Sequence, residues 1–229
     1  MKAFDVPCPK RRTGNALPDW YAYYAGYTTE FVAHTLASLP IPAGSLVAAP
    51  WNGAGTTVWA TLAAGFRAAG LDLNPAMTEV ARGRMMPASD RENAARLAQQ
   101  AVAASSPRIT DDPLNTWFGT ETASRLRSIA ARVMREEDSL VRGFVLTALM
   151  RTAKPLAAPF ASANPTWVKV PSGRRRSLPG ESLAKRFMWE VEAQSTRPPE
   201  TWIPPATEPT QSQGSSSRAQ FRGRPCPCD

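Results

Sequence analysis

The segment from residue 46 to residue 77 constrains the fold of this chain more than any other part of its sequence. It holds a short apolar run at residues 46–49, a glycine turn, and a stretch of helical length to about residue 65. A second short run at residues 66–71 follows and ends at an acid, Asp72. This order predicts a βαβ unit whose first strand, residues 46–49, is buried.

The residues of the turn indicate that a ligand lies against it. Gly53 and Gly55 lack a Cβ, so the chain can turn sharply and let a ligand approach the backbone. Thr56 and Thr57 then open a helix whose first N–H groups have no intrahelical partner. Asp72 lies roughly 20 residues after the glycines, which is the sequence spacing at which an acid accepts hydrogen bonds from ribose hydroxyls. The pattern is typical of a site for an adenosine-containing cofactor.

Two other phosphate-binding patterns fit this segment less well. A nicotinamide or flavin site would have a third small residue after the two glycines, where helix and strand pack closely, but Val58 stands there. A P-loop needs a lysine to grip phosphates, and the sequence has no lysine between Lys10 and Lys154. The dinucleotide interpretation is therefore weakened, and the P-loop interpretation fails.

The turn resembles the cofactor motif of S-adenosylmethionine-dependent DNA amino-methyltransferases, which methylate the exocyclic amine of adenine or cytosine. The resemblance is carried by Pro50-Trp51-Asn52-Gly53-Ala54-Gly55-Thr56-Thr57 and by Gly70-Leu71-Asp72-Leu73-Asn74-Pro75. Ala49 occupies the position of the Asp that opens the family motif. The resemblance implies that S-adenosylmethionine is bound by Pro50, Trp51, Asn52, Gly53, Gly55, Thr56, Asp72 and Leu73.

A second cofactor element of this family is a helix just before the glycine strand. The run that begins Tyr24-Ala-Gly-Tyr27 and continues to Pro40 resembles it, with Thr28 or Thr29 as the predicted N-cap. In the family this segment closes over the methionine part of the cofactor. The resemblance therefore adds Tyr27, Thr28 and Thr29 to the implied cofactor-binding residues.

Family members catalyse with an Asp/Asn/Ser-Pro-Pro-Tyr/Trp loop, which orients the target amine of a flipped base. The two Pro-Pro pairs, at residues 198–199 and 204–205, have neither the polar residue before them nor the aromatic residue after them. Residues 164–169 are similar to a segment that some members carry ahead of the loop. We therefore expect the chain to be truncated before the catalytic loop, so the catalytic residues are not identified.

The sequence divides into four regions: an N-terminal extension (1–19), the cofactor-binding βαβ region (20–84), a mainly helical region (85–194) and a tail (195–229). A capping box at residues 89–92 predicts a helix to about residue 105. Further helices are predicted at 120–135, 138–152 and from Pro179-Gly180 to about residue 193. The expected class is α/β, a partial Rossmann-like methyltransferase sheet with a helical insertion and a disordered C-terminal tail.

A formal net charge of +8 suits a polyanionic partner, and we expect double-stranded DNA. Lys169, Arg174, Arg175 and Arg176 form the one basic cluster; a solvated loop is the alternative to a phosphate-contacting role for it. Cys226 and Cys228 are too close for a usual zinc site, so no metal is expected. No apolar run could span a bilayer and no signal peptide is evident, so a cytoplasmic location away from membranes is expected.

These features predict an S-adenosylmethionine-binding homologue of DNA amino-methyltransferases. The first alternative is a degenerate or truncated non-catalytic protein that binds the cofactor or DNA. The second is a small-molecule or RNA methyltransferase, because the same cofactor unit serves those classes.

Overall fold

The computed structural model describes residues 20–21, 26–105, 111–157 and 175–196. Within these ranges the protein is mixed α/β, mostly helical, with one small parallel sheet of two strands. The elements are α1 (Thr29–Ser38), β1 (Leu46–Ala49), α2 (Thr56–Ala63), β2 (Arg67–Gly70), α3 (Pro75–Arg84), α4 (Arg91–Ala103), α5 (Thr120–Val133), α6 (Ser139–Ala153) and α7 (Gly180–Ser195). Short 3₁₀ turns lie at Ala88–Asp90 and Pro113–Thr116.

The predicted βαβ unit is present. β1 and β2 are parallel, with Leu46 opposite Arg67 and Ala49 opposite Gly70, and α2 connects them. β1 has the predicted bounds, whereas α2 and β2 are shorter than predicted. α2 ends at Ala63 because the chain turns through Gly65, whose φ of 80° is a left-handed conformation that favours glycine.

The prediction that β1 is buried was wrong. Leu46 is 56% exposed, and Ala49 is the only buried residue of the strand. Side chains of a strand alternate between the two faces of a sheet. Helices α1 and α2 cover the face that carries Val47, which packs beside Val32 and Ala60. The opposite face, with Leu46, is exposed in the described part of the chain.

The main hydrophobic core is formed by helices α3 to α7. Each helix contributes at least one almost fully buried side chain, among them Val80, Leu97, Ile129, Val145 and Phe187. The closest helix pair is α3 with α6. A Cβ added to Gly83 of α3 would lie 2.5 Å from the carbonyl carbon of Gly143 in α6, so the two backbones meet directly at these glycines.

Three of the seven described α-helices, α1, α3 and α6, begin at a residue whose side chain caps the helix. Thr28 caps α1 by accepting a hydrogen bond from the Phe31 N–H at 3.2 Å, and Asp138 caps α6. Helices α5, α6 and α7 lie within two residues of their predicted bounds.

The predicted capping box at residues 89–92 was wrong. Ser89 lies inside the 3₁₀ turn, and the N-cap of α4 is Asp90, whose side chain makes no capping hydrogen bond. The chain enters α4 directly from this turn, in which the Asp90 N–H already donates to the Pro87 carbonyl at 3.1 Å. Ser89 therefore does not occupy the capping position that the spacing suggested.

The N-terminal extension (1–19), the segment at residues 164–169, both Pro-Pro pairs and the tail from residue 197 onward lie outside the described residues. None of the described helices is both long enough and apolar enough to cross a membrane.

Candidate functional site

The glycine turn and the acid after β2 meet at the carboxyl end of the sheet. Asp72 Oδ2 accepts a hydrogen bond from the Gly53 N–H at 2.7 Å, and Asp72 Oδ1 accepts one from the Asn74 N–H at 2.8 Å. Backbone pairing continues past the strands, because the Asn52 N–H donates to the Leu71 carbonyl at 2.9 Å. One carboxylate thus fixes the loop after β1 to the loop after β2.

The turn itself needs glycine. Gly53 and Gly55 have φ values of 52° and 81°, which residues with a side chain rarely adopt. At Gly55 a Cβ would also lie 3.0 Å from the Ala81 Cβ of α3. Gly55 is the N-cap of α2 and has no side chain. No side-chain oxygen therefore caps the first N–H groups of α2.

Asn52 brings a polar side chain under the turn. It packs against Gly70, where an added Cβ would lie 2.6 Å from the Asn52 Nδ2. The Asn52 Oδ1 is buried and makes no hydrogen bond in the described part of the chain. The Asn52 side chain therefore fills the space between the glycine turn and Gly70.

The start of α1 is joined to the first turn of α2. The Tyr27 hydroxyl and Thr57 Oγ1 form a hydrogen bond of 2.5 Å, and the Tyr27 ring lies edge-on to Phe31. The Thr28 hydroxyl is used as the α1 cap, and the Thr29 hydroxyl donates to the Glu30 carboxylate at 3.4 Å. Of Tyr27, Thr28 and Thr29, Tyr27 is the residue with a described side-chain hydrogen bond to α2.

Three large apolar side chains stand exposed on the two joined loops, one of them Leu71, which is 68% exposed. Trp51, in the glycine turn, is 79% exposed, and Leu73, directly after Asp72, is 94% exposed. Pro50 is also exposed. Large side chains that a fold leaves so open are candidates for contact with a ligand or partner.

Sequence reasoning missed α3 and its Arg84. The Arg84 Nη1 donates to Thr56 Oγ1 at 2.9 Å and to the Ala54 carbonyl at 3.3 Å, so it reaches the glycine turn from the end of α3. Asn74 followed by Pro75 is a helix-start signal that could have revealed α3, since Asn74 Oδ1 accepts from the Ala76 N–H. No local signal connects Arg84 with a turn that lies 28 residues earlier.

These residues fit an adenosine-containing cofactor. A carboxylate offers about four lone-pair directions, and Asp72 uses two of them for backbone N–H groups, so it can also accept from ribose hydroxyls. Gly53 and Gly55 are buried, so the surface that a ligand would meet at this turn is that of the exposed Trp51 and Leu73 and the half-buried Asp72.

The basic cluster is described only in part, since Lys169 and Arg174 lie outside the described residues. Arg175 and Arg176 are exposed. The Arg175 Nε donates to the Thr116 carbonyl at 3.2 Å, and the Arg176 Nη1 donates to the Pro155 carbonyl at 2.9 Å. Both guanidinium groups therefore hold neighbouring loops, and each keeps further N–H donors that these two bonds do not use.

No group of three or more potential metal-binding side chains occurs within the described ranges. Comparisons with protein-family models, with curated proteins and with solved structures found no match to this chain, so what the site binds has to follow from its own residues.

Proposed function

We propose that the chain binds S-adenosylmethionine at the glycine turn and is a homologue of DNA amino-methyltransferases. The observation that carries the proposal is the hydrogen bond from the Gly53 N–H to Asp72 Oδ2, at the carboxyl ends of two parallel strands. Ligands of open parallel sheets bind at that end of the strands. Here a glycine turn, a helix start and an acid converge there.

Each residue has a distinct role in this proposal. Asp72 accepts hydrogen bonds from the two ribose hydroxyls while still holding both loops. Gly53 and Gly55 shape the turn, the Gly53 N–H holds Asp72 in place, and Leu73 and Trp51 supply apolar surface. When bound, the cofactor would supply the methyl group.

Double-stranded DNA is the partner that the proposal implies. The net charge of +8 and the exposed Arg175 and Arg176 support this part. Contacts to phosphates release counterions, so the affinity for a mixed-sequence duplex should fall steeply as salt rises. An affinity that does not change with salt would contradict the DNA part of the proposal and leave the cofactor part unaffected.

A non-catalytic cofactor-binding protein is the second candidate function. The small size of the described sheet favours it, because an open parallel sheet of a full methyltransferase has several more strands than the two described here. Labelled S-adenosylmethionine separates the two candidates: transfer of the methyl group to DNA favours the enzyme, and binding without transfer favours the non-catalytic protein.

Isothermal calorimetry with S-adenosylmethionine and its demethylated product tests the cofactor proposal. The parent chain should bind both, and Asp72→Ala should weaken binding by about 1.5–3 kcal/mol, the value of hydrogen bonds to a charged group. Asp72→Asn should lose less, because the amide keeps one acceptor oxygen.

Asp138→Ala is the matched control. Asp138 also accepts two backbone N–H bonds, from Leu140 and Val141, but does so at the start of α6. It should lower the melting temperature without changing cofactor affinity. Equal affinity of the parent and Asp72→Ala would refute the role of Asp72, and a folded parent that binds neither ligand would refute the proposal.

A further inference from the structure

Arg84, at the end of α3, hydrogen-bonds to the glycine turn through its side chain. The Arg84 Nη1 contacts two consecutive parts of the turn, the Ala54 carbonyl and Thr56 Oγ1. Its guanidinium carbon also lies 5.7 Å from the centre of the Trp59 ring, one turn further along α2. A planar guanidinium can donate in several directions and stack on a ring at the same time.

The position of Arg84 is set by the helical core. The preceding residue, Gly83, lies at the close contact of α3 with the α6 backbone. Nearby, the Arg142 guanidinium of α6 makes an ion pair with Glu79 of α3, at 3.2 Å, and both side chains are largely buried. The last turn of α3 is therefore held against α6, and Arg84 extends from this fixed base toward the turn.

The charge of Arg84 is favoured at the last turn of α3, where the helix end carries partial negative charge, so its contact with the start of α2 needs a separate explanation. Thr56 is the first residue of α2, and the N-terminal end of a helix carries partial positive charge, which disfavours a nearby cation. The hydrogen bonds to the turn have to offset this repulsion. Such a contact makes sense as a restraint on the shape of the turn.

We propose that Arg84 is a positioning residue that holds the glycine turn in its ligand-receiving shape. It acts through Ala54 and Thr56 and does not itself contact the cofactor. This restraint exists with or without ligand. Only the effect on affinity rests on the proposed function.

Amide hydrogen exchange of the ligand-free protein tests the restraint directly. Arg84→Met keeps the aliphatic stem beside Trp59 and removes the donors, so within residues 53–57 the hydrogen-bonded amides of Gly53 and Gly55 should exchange about tenfold faster or more. Amides of the α5 and α6 core should keep their rates. Arg84→Lys should give an intermediate rate, because the lysine ammonium keeps the charge and N–H donors but lacks the planar group that lies over Trp59.

Arg82→Met is the matched control. Arg82 is in the same last turn of α3, is 44% exposed, and pairs with Glu79 rather than with the turn. Its substitution should leave exchange at residues 53–57 unchanged. Thr56→Val provides a second route if Arg84→Met does not fold, since it removes the closer acceptor and keeps the side-chain shape. Amide exchange at residues 53–57 should also speed up in Thr56→Val. Combining Thr56→Val with Arg84→Lys should add little, because both substitutions act on one contact.

The exchange rates and the affinity for the demethylated cofactor product give distinguishable outcomes. Faster exchange at residues 53–57 in Arg84→Met, together with about tenfold weaker binding, supports the proposal. Faster exchange in a protein whose parent form binds no cofactor supports the role of Arg84 and refutes the proposed function. Unchanged exchange in the folded Arg84→Met and Thr56→Val variants would overturn the role of Arg84, whatever the parent binds.

Discussion

At the scale of single residues, Asp72 combines a structural contact with the proposed binding contact. Its two oxygens each accept one backbone N–H, from Gly53 and from Asn74, so the carboxylate shapes both loops before any ligand arrives. A site preorganised in this way does not need to order its loops on binding, which favours affinity. It also means that a variant at Asp72 affects the loops as well as the ligand contact.

A second acid, Asp112, forms an ion pair with Arg127 that lowers the pKa of its carboxyl group. Arg127 donates two hydrogen bonds to the carboxylate, at 2.7 and 2.8 Å, and the Leu114 N–H donates a third. The side-chain bonds from Arg127 and then the Leu114 bond lower the pKa of Asp112 from 3.8 to about 2. Asp112 thus anchors the 3₁₀ turn at Pro113–Thr116 to α5.

This pair predicts a pH dependence of stability. The folded pKa lies below the unfolded value, so the contribution is complete above about pH 4 and is lost as the pH falls toward about 2. Urea unfolding at a series of pH values should show a decline over that window that is smaller in Asp112→Asn, which cannot ionise. Parallel declines in the parent and the variant would show that Asp112 contributes nothing to the acid sensitivity.

At the scale of elements, the sequence predicted what depends on neighbouring residues. Asp138 marks the start of α6 and Thr28 the start of α1, because a capping side chain bonds to N–H groups two or three residues away. The glycine turn and Asp72 could be predicted for the same reason, since their residue types are needed by the backbone and by the proposed ligand.

Features that depend on distant packing were not predictable in this way. The apolar residues of β1 suggest burial, but burial depends on which elements cover each face, and Leu46 is exposed. The contact of Arg84 with Thr56 requires α3 and α2 to be brought together by the fold. The glycine contact between α3 and α6 joins residues 60 positions apart and has no sequence signal that we could identify.

The contact between Gly83 and Gly143 predicts that one methyl group added at Gly83 strongly lowers the stability of the protein. A Cβ at Gly83 would lie 2.5 Å from the Gly143 carbonyl carbon and 2.5 Å from the Phe144 nitrogen, so α3 and α6 would have to move apart. We expect Gly83→Ala to destabilise the protein by about 1–3 kcal/mol, the range of overpacked sites, despite the higher helix propensity of alanine.

Chemical denaturation measures this loss, and Gly180→Ala is the control. Gly180 begins α7, and the nearest atom to an added Cβ is the Glu121 Oε1, at 3.8 Å. The control should be as stable as the parent or slightly more so. A Gly83→Ala variant with the stability of the parent would show that the two helices can separate at little cost.

At the scale of the whole molecule, the glycine turn and the helical core form one connected structure. Ala54 of the turn and Met77 and Val80 of α3 belong to the same buried cluster as residues of α4 to α7. The loop after β2 leads directly into α3, which Asn74 caps at its start and from which Arg84 returns to the turn. Changes in the helical core can therefore alter the proposed cofactor site.

The central claim is that the glycine turn and the loop of Asp72 form one cofactor site. Titration of ¹⁵N-labelled protein with S-adenosylhomocysteine, followed by NMR, tests it most directly. The amides of Gly53 and Gly55 should shift in a saturable manner. Gly44 and Gly65 are internal controls, because they also have positive φ but lie in other turns, and their amides should not move. Saturable shifts confined to other regions, or no shift at Gly53 and Gly55 in the folded protein, would contradict the account.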